Sequence, residues 1–296
     1  MTLRERIECK NALLFVAPWI IGFAVFVAYP ILASLYFSFC DYSVLSPPRW
    51  VGLHNYVEIM RTSVAWRAII RTFLFAVVAL PLSLFASLVL ALLLEKSSRG
   101  MALFRTAFFL PALVPQVAVA ALLLWIFATD GILNKGLEAV GLGAVPWISR
   151  RMILVTLLLM GVWTVGHSMV IFVAGLHDVP QELYESAQID GASYLRRVWH
   201  ISIPMISPVI LFNLVMGIIA ALGQFTIPYF IGSTNTQHEF GDAANFIATE
   251  INNQAMQNLR MGYASALSWV LLVAVVILTG LVLRFSTRIV HYQGES

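Results

Sequence analysis

Six stretches of the chain are apolar for about 20 residues or more and contain no Asp, Glu, Lys or Arg. They run roughly Ala12–Phe39, Phe73–Leu94, Ala107–Phe127, Ile153–Leu176, Met205–Phe225 and Tyr263–Leu283. A helix needs about 20 such residues to cross the hydrocarbon core of a bilayer, whereas a barrel strand needs only about 10 of alternating character. The runs therefore predict an all-α membrane protein with six transmembrane helices in one transmembrane domain spanning residues 1–296. Hydrophobic residues make up 60% of the chain and charged residues 11%, a balance that a water-soluble surface could not cover.

The first run follows Arg4, Arg6 and Lys10 as a signal peptide would. A signal core is about 7–15 apolar residues ending in small ones, and this run is much longer and carries Tyr29 and Tyr36 near its end. It reads as a retained span. A helix of that length holds Cys9 and Cys40 some ~40 Å apart, which excludes a disulfide between them.

Six spans place both termini on one side. With the N-terminus inside, 10 Lys and Arg residues lie on that side and 8 on the other. The bias is toward termini inside but too small to fix the orientation alone.

Charge-free spans argue against a secondary carrier driven by protons or sodium, which places ionisable groups within the membrane for its coupling ion. The chain has no H-E-x-x-H, no metal-spaced Cys/His cluster and no G-x-x-x-x-G-K-[ST], so it carries no metal site and no phosphate-cradling loop of its own. A membrane-embedded enzyme or scaffold is the other class in contention. If the chain moves a solute by other means, energy must reach it from a partner.

A polar interruption, ELYESAQIDGASYLRRVWHISIP at residues 182–204, separates the fourth and fifth runs. Asp178 or Val179 can cap a helix here, with Pro180 in its first turn and Glu182 near its positive end. Gly191 breaks that helix, because it adopts backbone angles barred to other residues. A second short helix, capped by Asp190 or Ser193, then places Tyr194, Val198 and Ile201 along one side. The segment 178–204 is thus expected to be an elbow of two helices on the membrane surface.

Glu185-Ser186-Ala187-Gln188-Ile189-Asp190-Gly191-Ala192, followed by Ile201-Ser202-Ile203-Pro204, resembles the E-A-A-x-x-D-G-A…I-x-L-P signature of permease subunits of bacterial binding-protein-dependent ABC importers. Ser186 and Ile203 depart mildly from that pattern. The stretch from Ala28 through Met60 and the one from Met261 through Thr279 are similar to the carbohydrate-importer branch, the maltose and glycerol-phosphate permease type.

The resemblance implies the type I ABC importer permease fold, with a cytoplasmic two-helix coupling loop inserted into the ATPase. It implies coupling roles for Glu182, Glu185, Ala187, Asp190, Gly191 and Ala192: Glu185 facing basic or polar groups, Ala187 and Ala192 allowing close approach, and Gly191 forming the turn. It also implies cytoplasmic termini and a multi-pass location in the bacterial inner membrane. The implied partners are two ATPase subunits, a second and different permease, an external solute-binding protein and membrane lipid, with no nucleic acid. No cofactor is expected in this chain; ATP and Mg belong to the ATPase.

The solute is expected to be a sugar or oligosaccharide, with glycerol phosphate, an amino acid or a peptide as alternatives. Sugars are held by hydrogen bonds and flat aromatic faces, so Gln116, Trp163, His167, Asn213, Gln224 and Tyr229 are the candidates for the substrate path. Outside the spans, segments 41–71 and 226–262 are the long extracellular stretches. An apolar stripe of Phe246, Ile247, Ile251 and Ala255 predicts a short surface helix in the second.

Overall fold

The computed structural model describes residues 3–95, 99–234 and 241–286. They form two compact units, one built from the described residues of 3–62 and 250–271, the other from those of 63–249 and 272–286.

In the first unit, α1 (Leu3–Phe23) and α2 (Tyr29–Ser38) run as one helix through a wide π turn at Ala24–Ala28. Pro30 explains the widening. Its ring would strike the carbonyl of Phe26 and it has no N–H to offer, and an expanded turn accommodates both. A hairpin follows, β1 (Cys40–Ser43) and β2 (Ser46–Trp50), pairing Cys40 with Trp50 and Asp41 with Arg49. Pro47 and Pro48 are tolerated there because neither strand has a further neighbour among the described residues.

The amide of Asn55, on α3 (His54–Arg61), donates to the carbonyls of Ser38 and Cys40, both at 2.9 Å, and so closes the end of α2. Arg260 bonds Glu58 at 2.6 Å and lies 4.6 Å above the Tyr263 ring. Gly262 packs so closely on the Cys40 carbonyl that a side chain there would strike it.

The second unit is organised around α4 (Ser63–Leu94), 32 residues long. Around it come α5 (Arg99–Leu113), α6 (Gln116–Ile126), α7 (Ile132–Ala139), α8 (Ile153–Trp163) and α9 (Gly166–His177). After the elbow of α10 (Gln181–Ile189) and α11 (Tyr194–Arg197) follow α12 (Ile203–Met205), α13 (Ser207–Leu222) and α14 (Thr226–Thr234). The start of the short α15 (Ile247–Asn252) and the second half of α16 (Met261–Ser286), from Leu272, also belong to this unit, and residues 250–271 to the first. α4 packs against α8, α9 and α13, and α5 against α9.

Two apolar clusters form along α4. Phe75 joins Leu123, Ile153, Met160, Ile231 and Phe246 in one; Ala91 and Leu94 join Met169, Phe172, Leu176, Val179 and Ile206 in the other. Phe75 and Leu94 are ~28 Å apart along the helix.

Among the described residues four helices are long and apolar enough to cross a membrane, and two bent pairs bring the number to six if each pair is one span. The third expected run, 107–127, is not a straight helix: it turns through 101° at Val114-Pro115. Pro115 has φ −54° and ψ 134°, extended backbone that ends one helix and starts the next. The fourth run bends by 44° between α8 and α9.

The expected outer segment 41–71 is shorter than its sequence implied, because Ser63–Arg71 is the beginning of α4. Arg67 and Arg71 interrupt the uncharged run, yet Ala65, Ala68 and Thr72 are fully buried on one helical face. Residues 226–234 likewise extend the fifth span. Phe246 and Ile247 are 0% and 2% exposed, so the expected surface stripe begins inside the core, where Phe246 packs 5.2 Å from Phe75.

Candidate functional site

The elbow between α9 and α13 assembles six of the sequence-derived candidates on one projection. Asp178 does not cap α10; it closes α9, and Val179 is drawn into the apolar cluster below. Pro180, at φ −56° and ψ 127°, occupies the N-cap position expected of its two predecessors. From there α10 exposes Glu182, Leu183, Glu185, Ser186 and Gln188, while Tyr184 and Ala187 turn half inward. Ile189 at its tip is 87% exposed.

The turn is a Schellman closure. Gly191 sits at φ +74°, its N–H donates to Gln188 O at 3.1 Å, and the Ala192 N–H reaches back to Ala187 O at 2.9 Å. Ala187, Gly191 and Ala192 thus hold the shape of the elbow, and Asp190 is the C-cap of α10. Ser193, in extended backbone, starts the second arm, which Asp190 does not cap. That arm continues through a π turn at Val198–Ser202 into α12, and Pro204 stands in the same relation to its turn as Pro30 does. Val198 is buried, Ile201 half-buried and Tyr194 50% exposed.

Contacts across the elbow tie its arms together. The Tyr184 and Ser202 hydroxyls are 2.9 Å apart, and Arg197 Nη1 donates to Gln188 Oε1 at a long 3.4 Å. Burial raises the Tyr184 hydroxyl above the ordinary tyrosine value. Burial does the same to Tyr194, with the Glu95 carboxylate adding to it.

Sequence reasoning missed the groups at the root of the elbow. The end of α4 presents backbone carbonyls that no further helical turn can satisfy. Arg105 of α5 fills two: its Nε donates to Leu94 O and its Nη2 to Glu95 O, each at 2.8 Å. His177 Nε2 donates to the same Glu95 carbonyl at 2.8 Å, and the Tyr194 hydroxyl reaches Leu92 O at 3.4 Å. A cation at a helix C-terminus was the available signal. The partner helix could not be read from sequence.

The path candidates scatter through the second unit and concentrate at helix breaks. Gln116 is exposed as the first residue after the 101° bend. Trp163, 44% exposed, and the exposed His167 flank the 44° bend. Gln224 is half-buried in the gap between α13 and α14, and Tyr229 stacks on Phe225 at 4.9 Å. Asn213 is 4% exposed and donates to Val209 O of its own helix at 3.0 Å, away from any break.

Residues 83–291 match the family described as binding-protein-dependent transport system inner membrane component. The chain belongs to this family. The permease is 37% identical over 287 residues to the Bacillus subtilis "Probable ABC transporter permease protein YesP", covering 95% of this chain and 92% of that protein. It is 32% identical to the lactose transport system permease protein LacF of Rhizobium radiobacter, covering 91% of each. Its fold is similar to that of a bacterial ABC transporter involved in import of the acidic polysaccharide alginate. That likeness has a TM-score of 0.86 at 24% identity and covers 97% of this chain and 100% of that one. The match extends from the middle of α4 through the elbow to the end of α16, and so places every candidate named above within the family region.

Proposed function

We propose that this permease forms half of the path for a carbohydrate in an ATP-driven importer and is moved by a separate ATPase that grips the elbow. The observation that carries the reading is the elbow itself: a polar, solvent-facing projection whose turn is locked at Gly191 and whose base is anchored in the bundle. Glu182 and Glu185 meet basic or polar groups of the ATPase, while Ala187, Asp190, Gly191 and Ala192 hold the shape that fits its cleft. The elbow then lies in the cytoplasm, and so do both termini.

The permease works with two ATPase subunits, which carry ATP and Mg, a second and different permease, and an external solute-binding protein. The likeness to LacF supports a sugar as the cargo. Gln116, Trp163, His167, Gln224 and Tyr229 supply the uncharged polar and aromatic groups a sugar needs, at breaks where backbone groups open toward a path. Asn213 joins them only through the helix it steadies.

Glu185→Lys combined with Gly191→Val tests the reading. A non-glycine residue at φ +74° costs about 1–2 kcal/mol, and no neighbouring atom obstructs a Cβ at that position, so the change distorts the elbow's turn by backbone strain alone. Uptake and binding-protein-stimulated ATP hydrolysis both fall in the reconstituted complex; unchanged rates of both refute the docking role.

A further inference from the structure

The root of the elbow has a feature that docking alone does not require. Three carbonyls at the end of α4, those of Leu92, Leu94 and Glu95, are held by three different segments. His177 is the last residue of α9, immediately before the elbow. Tyr194 is the first residue of the outgoing arm, immediately after its turn. Arg105 belongs to α5, which itself packs on α9.

Both sides of the elbow are therefore fastened to the same end of the same helix. Beneath these bonds Val179, Leu176 and Ile206 share one apolar cluster with Ala91 and Leu94 of α4. Above them the Tyr184–Ser202 contact stops the arms from splaying.

We infer that Arg105, His177 and Tyr194 are positioning residues that make the elbow and α4 move as one body, so that displacement of the elbow becomes displacement of the helix at the centre of the second unit. The inference rests on the ATPase-docking reading above. A projection joined to its bundle only by two chain segments could pivot about them and dissipate the motion. A projection fastened at both sides to one helix end cannot pivot without breaking the His177 and Tyr194 bonds, and the charge-assisted pair from Arg105 ties the same helix end to α5, which packs on the incoming α9. Arg105 matters most, because its planar fork spans two carbonyls in a fixed geometry that an ammonium group cannot reproduce.

The test uses the full complex in proteoliposomes with Arg105→Met, Arg105→Lys, His177→Leu, His177→Gln and Tyr194→Phe. Three quantities are read: ATPase co-purification with the permease, the KM for ATP, and solute moved per ATP hydrolysed. Arg105→Met is expected to keep the first two and to lower solute per ATP on the order of tenfold. Arg105→Lys recovers part of the loss. His177→Gln, which places a donor near the same point, recovers more than His177→Leu, and Tyr194→Phe gives the smallest loss because its bond is the longest.

Wild-type solute per ATP in Arg105→Met overturns the inference. So does a loss that merely tracks reduced co-purification, since that is a folding or assembly effect.

A second measurement stands apart from the ATPase. Spin labels are placed at Ser186→Cys on the elbow and Val78→Cys on α4 in a background free of other cysteines. The permease gives one narrow distance distribution, and Arg105→Met broadens it. No broadening overturns the inference even where the ATPase docks as proposed. Broadening in Arg105→Met together with unchanged uptake and ATP hydrolysis in Glu185→Lys/Gly191→Val upholds the latch and refutes the docking reading instead.

Discussion

Gly166→Ala is the sharpest test of how the second unit is packed. Gly166 opens α9 directly against α5. A methyl group built there meets the Phe108 carbonyl oxygen, lies 2.9 Å from Phe109 Cα and 3.1 Å from Phe108 C, all backbone atoms of the neighbouring helix. No rotamer change relieves such a clash, so one helix must shift, and overpacking of this kind costs about 1–3 kcal/mol. Alanine's helix preference, up to ~1 kcal/mol, offsets part of that.

Two controls separate the terms. Gly161→Ala meets nothing within 4 Å and should be neutral or slightly stabilising; Gly175→Ala meets first the Val209 side chain, with Cγ2 at 2.8 Å and Cβ at 3.3 Å, a contact with side-chain atoms and so softer than one with backbone. Thermal unfolding in one detergent at one scan rate should rank Gly161→Ala at or above the parent, then Gly175→Ala, then Gly166→Ala. Because every close contact is with backbone, the cost lies at the upper end, about 2–3 kcal/mol, and leaves roughly 1–3 kcal/mol net; at roughly 2–4 °C per kcal/mol Gly166→Ala should melt about 2–12 °C low. A Gly166→Ala protein that melts with the parent refutes the close α5–α9 approach, and with it the position in space that α5 gives Arg105, one turn before Phe108.

Asn134 is 1% exposed; its two amide N–H groups are shared among the carbonyls of Ala128, Thr129 and Val145, and its oxygen accepts from Val145 N–H and Trp147 Nε1. Asn134→Ala should cost about 2–4 kcal/mol and red-shift Trp147 emission; an unmoved spectrum and melting curve would show that this loop is held by other means. Tyr184 and Tyr194 keep their protons in the folded state to a higher pH than in the unfolded chain, which releases them near pH 10.0. Their stabilisation is therefore complete below that pH and is lost as pH rises through the higher folded values, so melting temperature should fall on the alkaline side and fall less in Tyr184→Phe.

The spans were legible because lipid dictates composition: a helix in hydrocarbon must be apolar for about 20 residues whatever its neighbours. Where they start and bend was less legible. Arg67 and Arg71 hid the first turns of α4, although Ala65, Ala68 and Thr72 carried the helical period. The apolar run 107–127 contains Pro115, which breaks it, but the 101° angle of the break depends on what α6 packs against, namely α14 and the Phe75 cluster. Gly191 was read correctly because a positive φ leaves few other residues. The expected cap of α10, Asp178 or Val179, lies one or two residues before the actual one, because Asp178 closes α9 and Val179 fills the apolar cluster. Arg105 escaped notice altogether: its partners are backbone carbonyls 10 and 11 residues earlier, which no side-chain pattern reveals.

The two arms of the elbow solve a mechanical problem in opposite ways. On the outgoing side the chain stays helical from Tyr194 to Met205, because the wide turn at Val198–Ser202 absorbs Pro204 where an ordinary helix would kink. That arm is stiff through its own hydrogen bonds. On the incoming side helicity is lost at Pro180, whose extended backbone interrupts the ladder between α9 and α10. A bare break at this point would be a hinge. It is there, one residue before the C-cap Asp178, that His177 bonds the end of α4 and, one residue after, that Val179 is buried. Tertiary bonds thus supply on one arm the stiffness that the helix supplies on the other. Proline at Val198, whose N–H bonds the Tyr194 and Leu195 carbonyls, should therefore damage coupling less than His177→Leu, measured as solute moved per ATP; a greater loss would show that the arm itself, and not α4, is the main support.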